Sequence, residues 1–496
     1  MSSDRSSPRL TICTSVLAPP ARAVGATGIT LPGNLLPVNL VDREVELAEL
    51  RRMASSAPRL VIIRGRRRVG KSYLVAEAVG DEAIIYQADE QPETEQLAGF
   101  ARQASELIRG APGLRFGSWD DALTFLGAQA ASRPVTVVLD EFQYMCAASP
   151  GLPSIVQRHW DRWQREHVRI TLLLVGSALT FMETLLDQGS PLHGRADYRP
   201  LLEPFDYRDA AAFAPAPMGP EERIRRYAVL GGTAQYQVWA EGRDAEAAVR
   251  DLMLRPGSPL HDEPLQLLRA EEDIRDTARY FGVLVAIAGG HNRTSDIAGV
   301  TGLDASNVSK ALRFLEVLGY VDQISPMSPR ERSARAIWRL RDPFFRFWFR
   351  RIYPNRSRLS AGRLDAVFAE ARQDLDAYVG GVFEDCCRDW FVRHSDLPAA
   401  TATVNCGRWW SRDGQREVDV AALDKRGRYT LLGSCKWQRR PVGTNDLDQL
   451  LDHRTALGQP AAGAQLAMFA RRRFSDALTR RAEREGVLLA SAADLF

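Results

Sequence analysis

Three apolar runs divide the first half of the chain: Leu60-Val-Ile-Ile63, Val135-Thr-Val-Val-Leu139 and Ile170-Thr-Leu-Leu-Leu-Val175. Each is four to six residues long, rich in β-branched side chains and without polar alternation. That pattern predicts strands buried on both faces, as in a parallel sheet. An amphipathic helix with an acidic start is expected at 41–50, before the first run. Beyond residue 205 the periodicity turns helical, over 207–213, 221–230, 245–254, 280–288 and 294–300. In the stretch 305–319, Val308, Leu312, Leu315 and Leu318 recur at helical spacing and predict one buried face. Two short segments follow, 320–324 and 336–340, and are expected to pair as a hairpin. Between Arg330 and Arg363 stand eleven arginines with interleaved aromatics. Phe344, Phe345, Trp348 and Ile352 read as an apolar stripe that docks neighbouring units together. From 376 onward a helix over 378–391, two alternating strands (417–423 and 429–437) and a helix near 445–457 are expected.

Chemistry enters between the first strand and the helix after it. Gly65-Arg66-Arg67-Arg68-Val69-Gly70-Lys71-Ser72 reads G-x-x-x-x-G-K-S, followed by Tyr73 and a helical run that Gly80 ends. Glycines at both ends let the backbone close tightly, so that its N–H groups converge on a polyphosphate, helped by the helix N-terminus. Lys71 is expected on the β- and γ-phosphates of ATP, and the Ser72 hydroxyl on Mg²⁺. The second strand ends in Asp140-Glu141. Asp140 is expected to hold Mg²⁺ and Glu141 to polarise the attacking water as general base.

Composition narrows the setting. The chain has 496 residues, 45 % hydrophobic and 26 % charged, with a net charge of +3. Near-zero charge leaves no global polyanion signal, so any nucleic-acid surface must be local. Six cysteines are scattered without a CxxC pair, which argues for free thiols in a cytoplasmic setting. No apolar run reaches membrane-spanning length, and residues 1–36 read as a Ser-, Pro-, Ala- and Gly-rich disordered tail. Four lysines stand against 61 arginines, at positions 71, 310, 425 and 436. In so arginine-biased a chain, Lys71 marks a place where a compact ammonium is not replaceable by a planar guanidinium; Lys310, Lys425 and Lys436 raise the same question, with chance retention as the alternative.

Val41-Asp-Arg-Glu-Val-Glu-Leu47 before Gly65–Ser72 resembles the AAA+/STAND-type prokaryotic ATPases, mostly archaeal, that carry a winged helix and a nuclease-like tail. The resemblance spans about 38–490. It implies an α/β fold: a P-loop NTPase parallel sheet (37–205) with a helical lid (206–265), a winged helix-turn-helix (266–345), a basic-aromatic connecting helix (346–375) and a restriction-endonuclease-like PD-(D/E)xK domain (376–496). It further implies that Ser177, after the third strand, senses the γ-phosphate and that Arg195 approaches it in cis or from a neighbouring copy. Gly231-Gly-Thr-Ala-Gln-Tyr236 stands where the family's lid carries Gly-Gly-x-Pro-x-Tyr, with the proline missing.

As a winged helix, the 305–319 helix would turn Ser306, Asn307, Ser309, Lys310 and Arg313 toward DNA. As a PD-(D/E)xK domain, the tail would place Asp419, Glu384 and Glu417 on a metal ion and Lys436 beside the attacking water. Ser434 occupies the position of the expected second acid. Two readings follow. One is an ATPase whose nucleotide state controls DNA engagement and cleavage. The other is an ATP-switched DNA-binding or signalling regulator with an inactive tail. A second copy of the chain or another protein is a candidate partner in either.

Overall fold

The computed structural model describes residues 41–108, 113–271, 276–328 and 336–496. The expected tail and Arg330, Arg332 and Arg335 lie outside them. Four parallel strands, β1 (Arg59–Arg64), β2 (Ile84–Gln87), β3 (Val135–Asp140) and β4 (Ile170–Gly176), form a sheet ordered β1-β4-β3-β2. All seven residues of β4 are buried, because helices cover both sheet faces. The strand β2 was not foreseen; at four residues, Ile-Ile-Tyr-Gln, it is too short to carry a period. Its neighbours Trp119, Trp160 and Trp163 fill the core on that side.

The hairpin forms as expected, from β5 (Val321–Ile324) and β6 (Ile337–Leu340), antiparallel with Val321 opposite Leu340. It follows three helices, Thr277–Ala288, Thr294–Thr301 and Ala305–Val317. The basic-aromatic stretch is not one helix. It divides into Pro343–Phe347, a wide turn at Trp348–Ile352, Arg356–Ser360 and Leu364–Gln373. Its aromatics are buried all the same: Phe344, Phe345, Trp348 and Ile352 are fully covered. From Pro343 to Ser360 the chain stays helical and only its pitch changes, before it turns into Leu364–Gln373.

The last sheet has five strands, β7 (Asn405–Trp410), β8 (Glu417–Leu423), β9 (Tyr429–Lys436), β10 (Gln465–Ala470) and β11 (Leu488–Ser491). Its order is β11-β10-β9-β8-β7; β7, β8 and β9 run antiparallel in turn, and β9, β10 and β11 are parallel. Helix Thr444–Leu457 makes the crossover between β9 and β10. One face, including Val420, Leu431 and Phe469, joins the core that also holds the lid, the three helices and the aromatic stretch. The other face, including Val418, Leu432 and Met468, has its own core. The sheet is therefore bonded into the body by a continuous apolar interior, with helix Leu375–Asp389 between them.

Candidate nucleotide site and the C-terminal carboxylate cluster

Strand β1 delivers the chain into Gly65, where a side chain would come within 2.6 Å of the Leu202 carbonyl oxygen. Arg68 and Gly70 both take left-handed backbone angles, φ 70° and 100°. Lys71 opens the next helix and is buried; its Nζ donates to the carbonyls of Gly65 (2.8 Å) and Arg66 (3.1 Å). Burial pushes its pKa down, against the charges of Glu141 and Asp140. The Ser72 hydroxyl donates to Asp140 Oδ2 at 2.6 Å, so the two expected metal donors are in contact. Burial raises the Asp140 carboxyl above its usual range. A hydroxyl and a carboxylate oxygen side by side, next to a left-handed glycine turn with a buried ammonium, are hard donors that fit ATP with Mg²⁺.

Glu141 sits at φ 54°, uncommon for a residue with a side chain, and this aims it across the strand ends. Its Oε2 accepts from the Ser177 hydroxyl (2.7 Å), the Ser177 amide (3.2 Å) and Gln143 Nε2 (2.5 Å). Strands β3 and β4 are neighbours, which brings Ser177 to Glu141. Gln143 is a functional candidate that sequence reasoning missed. Its only signal is its place two residues after the acid pair.

The loop's three arginines turn away from one another. The Arg66 guanidinium lies 4.5 Å from the Tyr320 ring centre and 5.1 Å from that of Phe345, with Nη1 3.7 Å from Asp342 Oδ2. Arg67 donates to the Tyr144 hydroxyl. Arg68 pairs with the buried Glu263 and covers the Trp239 ring at 4.7 Å, while its carbonyl accepts from Gln235 N. The Gly231–Tyr236 segment does lie on the loop despite its missing proline: the Ala234 Cβ is 3.8 Å from where a Gly70 Cβ would stand. Tyr73 is half-buried behind Ser72. Arg195 differs from expectation. Its Nε and Nη2 donate to Asp161 at 2.8 and 3.0 Å and its Nη1 to the His193 carbonyl at 3.4 Å, so the structure pairs it bidentately with helix Leu152–Arg165.

On the Ala305–Val317 helix, Ser306, Lys310 and Arg313 are exposed, and Asn307 and Ser309 are half-buried. Asn307 is occupied by the helix cap, its Nδ2 donating to Asp304 Oδ2 at 2.6 Å, and Ser309 bonds the Ala305 carbonyl. The cap carboxylate puts negative charge at the very end expected to meet phosphates.

In the C-terminal sheet, Asp419 on β8 accepts from Cys435 N (2.7 Å) and from the Ser434 hydroxyl (3.3 Å). Glu384, on helix Leu375–Asp389, is pushed up to about 7 by burial and by the Asp419 charge. Burial raises Asp419 too, with Lys436 among the groups that offset it. Ser434 thus touches Asp419, and Glu384 and Lys436 are close enough for their charges to act on it or be acted on by it. Glu417 does not join them as a ligand; it is exposed and paired with Arg408. Arg408 Nε also lies 3.6 Å from Glu384, and Arg388, which donates to the Asp419 carbonyl, lies 3.9 Å from the same carboxylate. Two guanidiniums supply the positive charge that a divalent ion would. Among the described residues, Glu384, Asp419 and Glu417 are not a group whose ligand atoms lie mutually within 4.8 Å. These residues do not fit a three-carboxylate metal site.

The raised Glu384 carboxyl has a stability consequence. The folded state holds its proton through a range where the unfolded chain has released it, so its contribution is lost as pH rises from about 4.5 to about 7. Glu384→Gln is expected to flatten that part of the stability profile, as read from denaturation midpoints at successive pH values.

Residues 40–234 match the family model described as an ATPase domain predominantly from Archaea. This segment is an ATPase domain of that kind. Behind the ATPase domain, residues 348–448 match a model described as archaeal and bacterial proteins of unknown function. An uncharacterized protein of Methanocaldococcus jannaschii is 26 % identical over 405 residues, covering 80 % of this chain and 87 % of that one. Among solved structures, the Walker-type ATPase of Pyrococcus abyssi is 20 % identical, with 63 % of this chain and 96 % of that chain covered and a TM-score of 0.46. The Aeropyrum pernix ORC2 protein in ADPNP and ADP complexes is also 20 % identical, with 69 % and 97 % covered and a TM-score of 0.41. No described helix is long and apolar enough to cross a membrane.

Proposed function

We propose that this chain is an ATP-hydrolysing switch in which the nucleotide state of the P-loop sets the position of a DNA-binding winged helix, with a nuclease-like C-terminal domain that does not cleave. The observation that carries the switch is Arg66. It belongs to the phosphate-binding loop, yet its side chain is buried against Tyr320 and Phe345, at the hairpin and in the aromatic stretch, and faces Asp342. A change in the loop backbone on binding or losing a γ-phosphate moves that guanidinium within a packed interior. Close packing passes such a shift to the three-helix unit.

In the reaction, Lys71 and the loop amides would hold the phosphates, and Ser72 and Asp140 would hold Mg²⁺. The ion, when bound, would neutralise charge developing on the phosphoryl oxygens. Glu141 takes the proton of the attacking water, and Ser177 and Gln143 fix where its carboxylate points. Support for DNA as the partner is the exposed Ser306, Lys310 and Arg313 on the third helix of the three-helix unit and the hairpin after it. A second copy of the chain or a protein partner on this unit is the competing possibility.

The cleaving alternative has its own support, in the charge interactions of Asp419 with Glu384 and Lys436. Against it stand Ser434, which lacks charge, and Arg408 and Arg388 at the carboxylates.

Two measurements test the reading. Duplex DNA binding is compared with ATP, with ADP and without nucleotide at several salt concentrations. Arg66→Ala is expected to keep ATP binding but abolish the nucleotide dependence of DNA affinity; a nucleotide-independent wild type, or an unchanged variant, contradicts the switch. Salt-insensitive or absent binding would transfer the role to a protein partner, since phosphate contacts make affinity fall steeply with salt. DNA cleavage in Mg²⁺ or Mn²⁺ that Asp419→Ala abolishes would establish the alternative.

A further inference from the structure

A separate set of side chains meets where the lid joins the C-terminal unit. Asp206 caps helix Tyr207–Ala211: its Oδ1 accepts from the amides of Arg208 (2.8 Å) and Asp209 (3.0 Å). That leaves Oδ2, which lies 3.0 Å from His394 Nε2. His394 stands five residues beyond Asp389, the last residue of helix Leu375–Asp389. One ligand atom from each of Asp206, Asp389 and His394 lies within 4.8 Å of the others. This holds for no other three His, Cys or carboxylate residues among those described.

Three features separate this cluster from an ordinary surface patch. The first is composition: an imidazole nitrogen and two carboxylates, from elements nearly two hundred residues apart in sequence, match the donor set of a four-coordinate divalent ion. The second is geometry. Bonds of about 2.0–2.1 Å in a tetrahedron place ligand atoms roughly 3.3 Å apart; Asp206 and His394 are already at 3.0 Å. The third is position beside an entrance, whose lining holds arginines as well as acids. Asp42, Asp206, Asp209 and Asp389 all line a cavity of about 840 Å³ between the ATPase domain, the hairpin and the last sheet. Arg393, at 2.8 Å from Asp389, answers one of these charges, and Arg208 is turned to the Phe496 carbonyl.

We propose that Asp206, Asp389 and His394 bind a divalent transition-metal ion of the zinc class, which ties the first lid helix to the C-terminal unit. The imidazole selects against Mg²⁺ and Ca²⁺, which take oxygen donors. A water would complete the shell. The site is independent of the P-loop metal and of the Glu384–Asp419 cluster.

The test uses the full chain, stripped with a chelator, free of nucleotide, and titrated with Co²⁺ by absorption and calorimetry. The expected result is one equivalent of Co²⁺ with weak visible bands, no intense thiolate charge-transfer band, and a raised Tm. Lys71→Ala keeps this equivalent; His394→Gln and the isosteric Asp389→Asn each lose it while retaining ATP binding. Absence of the equivalent in wild type, its survival in both variants, or a thiolate band assigning the ion to the cysteines would overturn the proposal.

Discussion

Asp385→Ala is expected to destabilise the protein by about 2–3 kcal/mol, the cost of leaving three half-buried guanidiniums without their shared partner. Asp385 lies on helix Leu375–Asp389, where its Oδ1 accepts from Arg339 Nη1 at 2.7 Å and its Oδ2 from Arg346 Nη2 at 2.8 Å. Arg388 bonds it as well. One carboxylate thus joins the hairpin strand β6, the aromatic stretch and its own helix. Burial opposes its charge, yet the three arginines hold its carboxyl well below the usual carboxylate range. A depressed folded-state pKa contributes stability above the ordinary pKa of about 4 and loses it only in stronger acid. The variant's first unfolding transition in urea reads the effect, and Asp385→Asn should be intermediate. A shift below about 1 kcal/mol, the range of an exposed pair, would show that water already satisfies these arginines.

Glu141→Gln is expected to lower ATP turnover by about 10²–10⁴-fold, the usual worth of a positioned general base, with nucleotide binding retained. The amide keeps the size of the side chain and can still accept from Ser177, so the change removes basicity more than shape. Ser177→Ala should have a smaller effect, because the Ser177 amide and Gln143 continue to hold the carboxylate. Single-turnover hydrolysis beside equilibrium binding of a fluorescent ATP analogue separates the two quantities. Equal losses in binding and turnover would instead mean that Glu141 acts by holding the fold of the site.

The nucleotide site was the most legible part of the sequence, because each requirement there is local. Gly70 is needed for a left-handed turn, Lys71 follows it on the next helix, and the acid pair ends a strand whose apolar run is unbroken. The hairpin at 321–324 and 337–340 was legible for the same reason. What the sequence hid depends on distant partners. Arg66 looks like one more phosphate-loop residue until Tyr320 and Phe345, some 250 residues away, close over it. Arg195 reads as a γ-phosphate contact, and its bidentate pairing with Asp161 is not visible in the sequence. Asp385 stood unremarked beside Glu384, although it holds three arginines and Glu384 does not. In a chain with 61 arginines, the choice of partner for each is settled by packing, which periodicity does not encode. The aromatic stretch was assigned the right task and the wrong shape, since its helix changes pitch and then turns into Leu364–Gln373.

Phosphate release from ATP with Mg²⁺, by wild type beside Lys71→Ala, tests the central claim most directly. The account predicts turnover by the wild type, and in Lys71→Ala the loss of both nucleotide binding and hydrolysis, because the buried ammonium is the one lysine in the loop. A variant that binds and hydrolyses ATP as the wild type does would contradict it.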